Sequence, residues 1–123
     1  MSSDDSGENS LTGTWVLSKG KWSEGEEPQE IPANVMQYKI YTSDTFIVVW
    51  VDKENGVVER THGGSYEFDG KKLTEKIEFG SESAKDMVGV THVFNLELSE
   101  DTFKQTGTEG SLAHLEEYWK KAK

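Results

Sequence analysis

The side chains that could do chemistry in this chain are polar residues set within short apolar runs. The stretch Thr61-His62-Gly63-Gly64-Ser65-Tyr66 places His62 and Tyr66 on one face of an extended strand, because side chains alternate between faces. In the next apolar run one face combines a carboxylate with apolar side chains: Leu73, Glu75, Ile77 and Phe79. A buried carboxylate is costly unless it is paired or hydrogen-bonded. We therefore expect Glu75 to have a hydrogen-bond partner, and His62 or Tyr66 on the preceding strand is within reach.

Two further polar side chains follow the same pattern. His92 shares a face with Phe94, Leu96 and Leu98, and Gln105 shares one with Phe103. These polar groups have two interpretations. They either converge in a cavity and orient a ligand, or they have a structural role. In the structural case they are hydrogen-bonded core groups that fix strand register, or a bulge turns Glu75 toward solvent. The candidate ligand-binding residues are Tyr38, Trp50, His62, Tyr66, Glu75, His92 and Gln105.

Motifs for metal binding and catalysis are missing from the sequence. His62, His92 and His114 have none of the short spacings that mark zinc sites, and the chain has no cysteine. There is no Gly-x-Ser-x-Gly elbow, phosphate loop or dinucleotide fingerprint. We predict no catalytic residues, no metal and no cofactor, so a binding role is favoured over an enzyme. An acid–base pair of Glu75 and His62 is the one enzyme-like arrangement that the sequence allows.

Composition narrows the class of protein and of partner. A length of 123 residues suits one domain. The net charge of −10 disfavours nucleic acid and anionic membranes as partners. No apolar run approaches the roughly 20 residues of a membrane-spanning helix, so we predict no integral membrane segment. Four tryptophans, four tyrosines and five phenylalanines supply a core despite the low apolar content.

The first ten residues are small, polar and acidic, which predicts a disordered leader over residues 1–10 and a single domain over residues 11–123. The leader is either the native start of a cytoplasmic protein or the remainder after loss of an export signal or lipoprotein anchor. In the second case the protein is periplasmic or secreted. The sequence leaves the oligomeric state open.

Turn residues divide the domain into about eight short strands. Asn55-Gly56 and Asp69-Gly70 are typical of hairpin turns, and residues 81–88 interrupt the alternation and predict a short helical turn or loop. The tail, residues 112–123, fits either a helix or a strand by periodicity. A final strand over residues 114–121 would pair with an early strand and leave no open sheet edge. We therefore predict an all-β, mostly antiparallel up-and-down barrel of eight strands, the size that can enclose one small ligand.

Several motifs, taken in order, support this architecture. The Gly13-Thr14-Trp15 start resembles the Gly-x-Trp start of the lipocalin and calycin superfamily. The ordered set GTWVLS, YKIYT, HGGSYEFDG, LTEKIEF and KQTGT is similar to a lipocalin-like domain family of unknown function, found mainly in bacteria. The resemblance spans residues 11 to 121, and Lys120-Lys121 stand where the family commonly has lysine and arginine. It implies a lipocalin-like barrel and ligand binding.

The sequence thus predicts a binding protein for a small apolar or amphipathic molecule held in the barrel interior. The alternative is a barrel filled by its own aromatic side chains, which would act through its surface as an interaction or envelope-associated module. We also expect Glu75→Gln to preserve the fold, and Glu75→Leu to be tolerated if Glu75 serves only in packing.

Overall fold

A computed structural model describes residues 10–108 and 110–122. Residues 1–9, most of the predicted leader, lie outside the described residues. The described chain forms nine strands: β1 (Gly13–Lys21), β2 (Gln29–Glu30), β3 (Val35–Tyr41), β4 (Thr45–Asp52), β5 (Val57–Phe68), β6 (Lys72–Gly80), β7 (Thr91–Leu98), β8 (Thr102–Gly107) and β9 (Glu116–Lys121). Two short 3-10 turns, Glu82–Met87 and Gly110–Leu112, lie between strands.

The strands form a closed antiparallel barrel with one extra strand. β1 pairs with β3, each strand from β3 to β8 pairs with the strand that follows it, and β9 pairs with β1. The two-residue β2 pairs only with the end of β1. The predicted all-β barrel of eight strands is confirmed, as is the helical turn near residues 81–88. The ambiguous tail is resolved: residues 116–121 form the closing strand, and among its described residues only Leu112, the last residue of a 3-10 turn, is helical.

The paired glycines of β5 lie where two strands come very close. The register between β5 and β6 shifts between Gly63 and Gly64, so β6 carries one extra residue, Glu78. A β-carbon on Gly64 would lie 1.9 Å from the carbonyl oxygen of Lys76. The shift also turns Phe79 outward, where its side chain is 49% exposed. The expectation that Phe79 shares the inner row of Glu75 is therefore wrong, because the bulge reverses the alternation after Ile77.

We expect Gly64→Ala to destabilise the barrel by about 1–3 kcal/mol, since the added methyl group forces backbone to move. Urea unfolding followed by tryptophan fluorescence measures the loss. The neighbouring Ser65→Ala is the control. Its hydroxyl donates an exposed hydrogen bond to Glu78, and loss of that bond should change the free energy of unfolding by less than about 0.5 kcal/mol. Equal midpoints for the two variants would contradict the close approach at Gly64.

An aromatic core fills the end of the barrel where β1, β4, β6 and β8 begin. Trp15 is buried there, and its Nε1 donates a hydrogen bond of 2.8 Å to the carbonyl oxygen of Leu11. The ring of Trp15 meets that of Phe103 edge-on, with ring centroids 4.8 Å apart. The Nζ of Lys121 lies 4.7 Å from the centre of the Trp15 ring, a cation–π contact. This end of the barrel is closed by side-chain packing.

Candidate functional site

The opposite end of the barrel holds a cavity of about 310 Å³. Its walls are the inner faces of the strands, together with side chains from the loops at the rim. The lining residues are Trp22, Gln37, Lys39, Val48, Trp50, Arg60, His62, Glu75, Met87, His92, Phe94, Gln105, Leu112, Leu115, Glu117 and Trp119. The lining combines aromatic and aliphatic side chains with a small set of polar groups, which is typical of small-molecule sites.

Loops narrow the mouth of this cavity. Met87 ends the first 3-10 turn, Leu112 ends the second, and Leu115 directly precedes β9. Trp22 follows β1 and is 46% exposed, while Trp50 on β4 is 38% exposed. Two half-exposed indole rings at the rim mean that the cavity opens to solvent here.

A network of buried polar side chains forms the floor of the cavity. The Lys39 Nζ lies 2.9 Å from Glu75 Oε2 and donates a 2.9 Å hydrogen bond to Gln105 Oε1. The Tyr41 hydroxyl donates a 2.5 Å hydrogen bond to the same Glu75 oxygen. Lys39 is only 3% exposed, and the rings of Phe94 and Trp119 lie 5.6 and 5.4 Å from its Nζ. The two charges compensate each other, which is the condition for burying them.

Glu75 therefore has partners other than those expected from its neighbours in the sheet. Tyr66 and His92 lie directly opposite Glu75 on the flanking strands. Its hydrogen bond and ion pair nevertheless come from Tyr41 and Lys39 on β3. Burial, and then the charge of Glu75, raise the pKa of Tyr41 well above its ordinary value. The tyrosine therefore stays protonated and acts as a donor. The expected hydrogen-bond partners, His62 and Tyr66, are therefore wrong: neither bonds to Glu75, and no hydrogen bond joins Glu75 and His62 as an acid–base pair.

A second buried carboxylate, Glu117, lies beside this network. It accepts hydrogen bonds from two indole groups, 2.8 Å from Trp22 Nε1 and 3.1 Å from Trp119 Nε1. Burial raises the pKa of Glu117, against the opposing effect of the Lys39 charge. Neutral donors thus satisfy this carboxylate, and its raised pKa favours the uncharged form more than in an exposed glutamate.

The two histidines of the cavity are held in the neutral form. Burial is the main cause that lowers the pKa of His62 to about 4; the charge of Glu75 opposes this shift, and the charges of Lys39 and Arg60 add to it. Burial likewise lowers the pKa of His92. Near neutral pH the histidines therefore contribute polarity to the cavity without charge.

Two nitrogen atoms in the cavity wall are buried without a hydrogen-bond partner among the described residues. They are Nε of Arg60 and Nδ1 of His62. Both side chains belong to the inner face of β5, two residues apart, and both line the cavity. Buried polar groups are hydrogen-bonded in the great majority of cases, so these two nitrogen atoms are available to bond with a group that enters the cavity.

The structure brings most of the predicted site residues together. The residues from that set that line the cavity are Trp50, His62, Glu75, His92 and Gln105. Tyr66 lies toward the closed end, where its hydroxyl donates to the carbonyl oxygen of Thr42 at 2.6 Å and its ring packs on Tyr41. Tyr38 lies on the outer face of β3, opposite Val16 and Val49. Neither of these two tyrosines lines the cavity.

Sequence reasoning missed three charged members of the site: Lys39, Arg60 and Glu117. On β3 the alternation predicts that the more apolar row points inward, namely Met36, Tyr38 and Ile40. In the structure the other row, with Gln37 and Lys39, points into the barrel. Arg60 belongs to the segment before the glycine pair, and Glu117 to the ambiguous tail. The one usable signal for Glu117 is its alternation with Trp119 once the tail is taken as a strand.

The described residues hold no group of three or more histidine, cysteine, aspartate or glutamate side chains placed to bind a metal ion. Over the same part of the chain, no helix is long and apolar enough to span a bilayer.

Comparison with known proteins identifies the fold. No family model and no curated protein matches the chain. Two solved structures are similar to it over nearly their whole length. An uncharacterized protein from Bacteroides eggerthii aligns with a TM-score of 0.67 and 14% identity, covering 92% of this chain and 100% of that one. A lipocalin-like protein from Bacteroides uniformis aligns with a TM-score of 0.67 and 15% identity, covering 91% and 98%. Together with the closed eight-stranded barrel, these matches establish that the chain has the lipocalin-like fold, as its motifs predicted.

Proposed function

We propose that the protein binds a small amphipathic molecule in the cavity at the open end of the barrel. The observation that carries the proposal is the cavity itself, about 310 Å³ with aromatic and aliphatic walls and a polar floor. Small-molecule sites begin at about 300 Å³ and use a few convergent polar groups to orient their ligand. A compact ligand fits this space, and the open mouth allows part of it to extend outward.

The alternative function, a surface module with a filled barrel, receives less support from the same observations. Around Trp15 and Phe103 the buried aromatic side chains fill the closed end of the barrel. At the other end, the buried pair of Lys39 and Glu75 borders the cavity rather than a packed core. Burying such charges without a functional need costs stability that an apolar replacement would avoid.

We expect phenylnaphthylamine, a neutral fluorescent probe, to bind the purified protein at one site with a micromolar dissociation constant. Val48 lines the cavity, so Val48→Phe should fill part of the space and weaken this binding at least tenfold. Probe fluorescence and energy transfer from tryptophan measure the affinity.

The matched control is Val49→Phe, the same change one residue along β4 on the outer face of the barrel. Val49 lies opposite Tyr38 and Thr61 and does not line the cavity. It should leave the affinity within about twofold, and circular dichroism should show both variants folded. Saturable binding that both variants weaken equally would overturn the proposed function, as would a parent protein that binds neither this probe nor its sulfonated analogue.

A further inference from the structure

The buried nitrogen atoms of Arg60 and His62 that lack hydrogen-bond partners indicate which chemical group of a ligand would bind beside β5. The Arg60 guanidinium has five N–H donors, yet its only hydrogen bond among the described residues is a long one, 3.5 Å from Nη2 to the carbonyl oxygen of Ser83. Its Nε is buried and makes none. An unmade hydrogen bond of a buried charged group is expensive, so an acceptor supplied from the cavity would stabilise this arrangement.

No carboxylate of the described residues neutralises Arg60 directly. The ion pairs found there are Lys39 with Glu75, Lys85 with Glu82, and His114 with Glu24. Glu75 is already bound to a lysine, and Glu117 accepts its hydrogen bonds from two indoles. Arg60 is therefore a cation in the cavity wall, and the two carboxylates of that wall, Glu75 and Glu117, are bound to other residues.

His62 supplies the second atom of the same subsite. It follows Arg60 by two residues on the same face, so its ring lies next along the wall. Its unpartnered Nδ1 can donate a hydrogen bond when the proton is on that nitrogen. An arginine and a neutral histidine side by side offer donors to two oxygen atoms of one group, which a carboxylate or sulfonate provides.

We propose that the cavity ligand carries an anionic oxygen group, of the carboxylate or sulfonate class, that pairs with Arg60 and His62; this inference rests on the proposed function. The aromatic or aliphatic body of the ligand then lies against Trp50. That residue is directly opposite Arg60 in the sheet and also borders a neighbouring apolar groove with Ile31 and Val35. The site therefore selects an amphipathic anion even though the chain as a whole carries a net charge of −10.

Two fluorescent probes with a shared aromatic body test this subsite. Phenylnaphthylamine is neutral, and anilinonaphthalene sulfonate adds one sulfonate group. We expect Arg60→Met, which keeps most of the side-chain length, to weaken binding of the sulfonate about tenfold and to change binding of the neutral probe less than about twofold. His62→Phe should lower the affinity for the sulfonate by less than tenfold, and it too should leave binding of the neutral probe nearly unchanged.

The matched control is Lys120→Met, which removes one positive charge from an exposed position on β9. It should leave the affinities for both probes unchanged, because exposed charges at a distance are screened by salt. Equal losses for both probes in Arg60→Met, or no loss for either, would overturn the anionic subsite while the proposed function stands. Failure of both probes to bind the parent protein would overturn the proposed function itself, and the subsite with it.

Discussion

Glu75→Leu should lower the free energy of unfolding by about 3–5 kcal/mol, because it leaves the ammonium group of Lys39 buried without its counter-charge. The Tyr41 hydroxyl also loses its acceptor. Such a loss is a large part of the 5–15 kcal/mol that stabilises a typical domain. Leucine would be tolerated only if Glu75 served in packing alone, and the ion pair with Lys39 shows that this condition is not met. Urea unfolding measures the change.

The double variant Lys39→Met with Glu75→Leu is the decisive control. It removes both charges and keeps apolar side chains of similar size, so it should recover most of the stability that Glu75→Leu alone loses. Glu75→Gln should fall between the parent and Glu75→Leu, since the amide oxygen can still accept from Tyr41 or Lys39. A single Glu75→Leu variant as stable as the parent would show that the ion pair contributes nothing to folding.

Deleting the chain from His114 onward should yield protein that does not fold and is recovered as aggregate. The deletion removes β9, which is hydrogen-bonded to β1 on one side and β8 on the other. It also removes Trp119, a buried ring that stacks on Phe103 with centroids 6.0 Å apart. Loss of a buried tryptophan alone costs about 3–5 kcal/mol, and two unpaired strand edges invite association between chains. Solubility and circular dichroism report the outcome.

A point substitution in β9 serves as the control, because it tests whether any change in this strand, rather than its removal, impairs folding. Lys120→Ala changes an exposed side chain within β9 and should leave solubility and stability close to those of the parent. A soluble, monomeric truncation with the circular dichroism of the full chain would mean that β9 is not needed to close the barrel.

The sequence predicts the strands because hairpin turns and the alternation of side chains are local signals. Asn55-Gly56 and Asp69-Gly70 mark hairpins, and the glycines alone take the positive φ, +72° at Gly56 and +98° at Gly70. The inward positions of His62, Glu75, His92 and Gln105 follow from simple alternation between polar and apolar residues. The closed topology is predicted from the number of strands and the cost of open sheet edges, and the resemblance to a known domain family supports it.

The remaining part of the site depends on contacts that alternation does not encode. Inside the barrel Lys39 is paired with Glu75 and Gln105 from other strands, whereas lysine without such partners is a residue of exposed positions. The outward turn of Phe79 requires the extra residue Glu78 in β6. Trp22 reaches Glu117 from a loop, across 95 positions of sequence. Each of these features belongs to the tertiary structure.

The closing ladder between β1 and β9 differs from the other pairings in its separation along the chain. From β3 onward every strand pairs with the strand that follows it, so those ladders join near neighbours. The contact of Ser18 Oγ with the carbonyl oxygen of Tyr118, by contrast, joins positions 100 residues apart. The entropy of closing that long loop must be overcome before the closing hydrogen bonds can stabilise the chain. We therefore expect the long-range pairing of β1 with β9, rather than any of the local hairpins, to limit how fast the barrel folds.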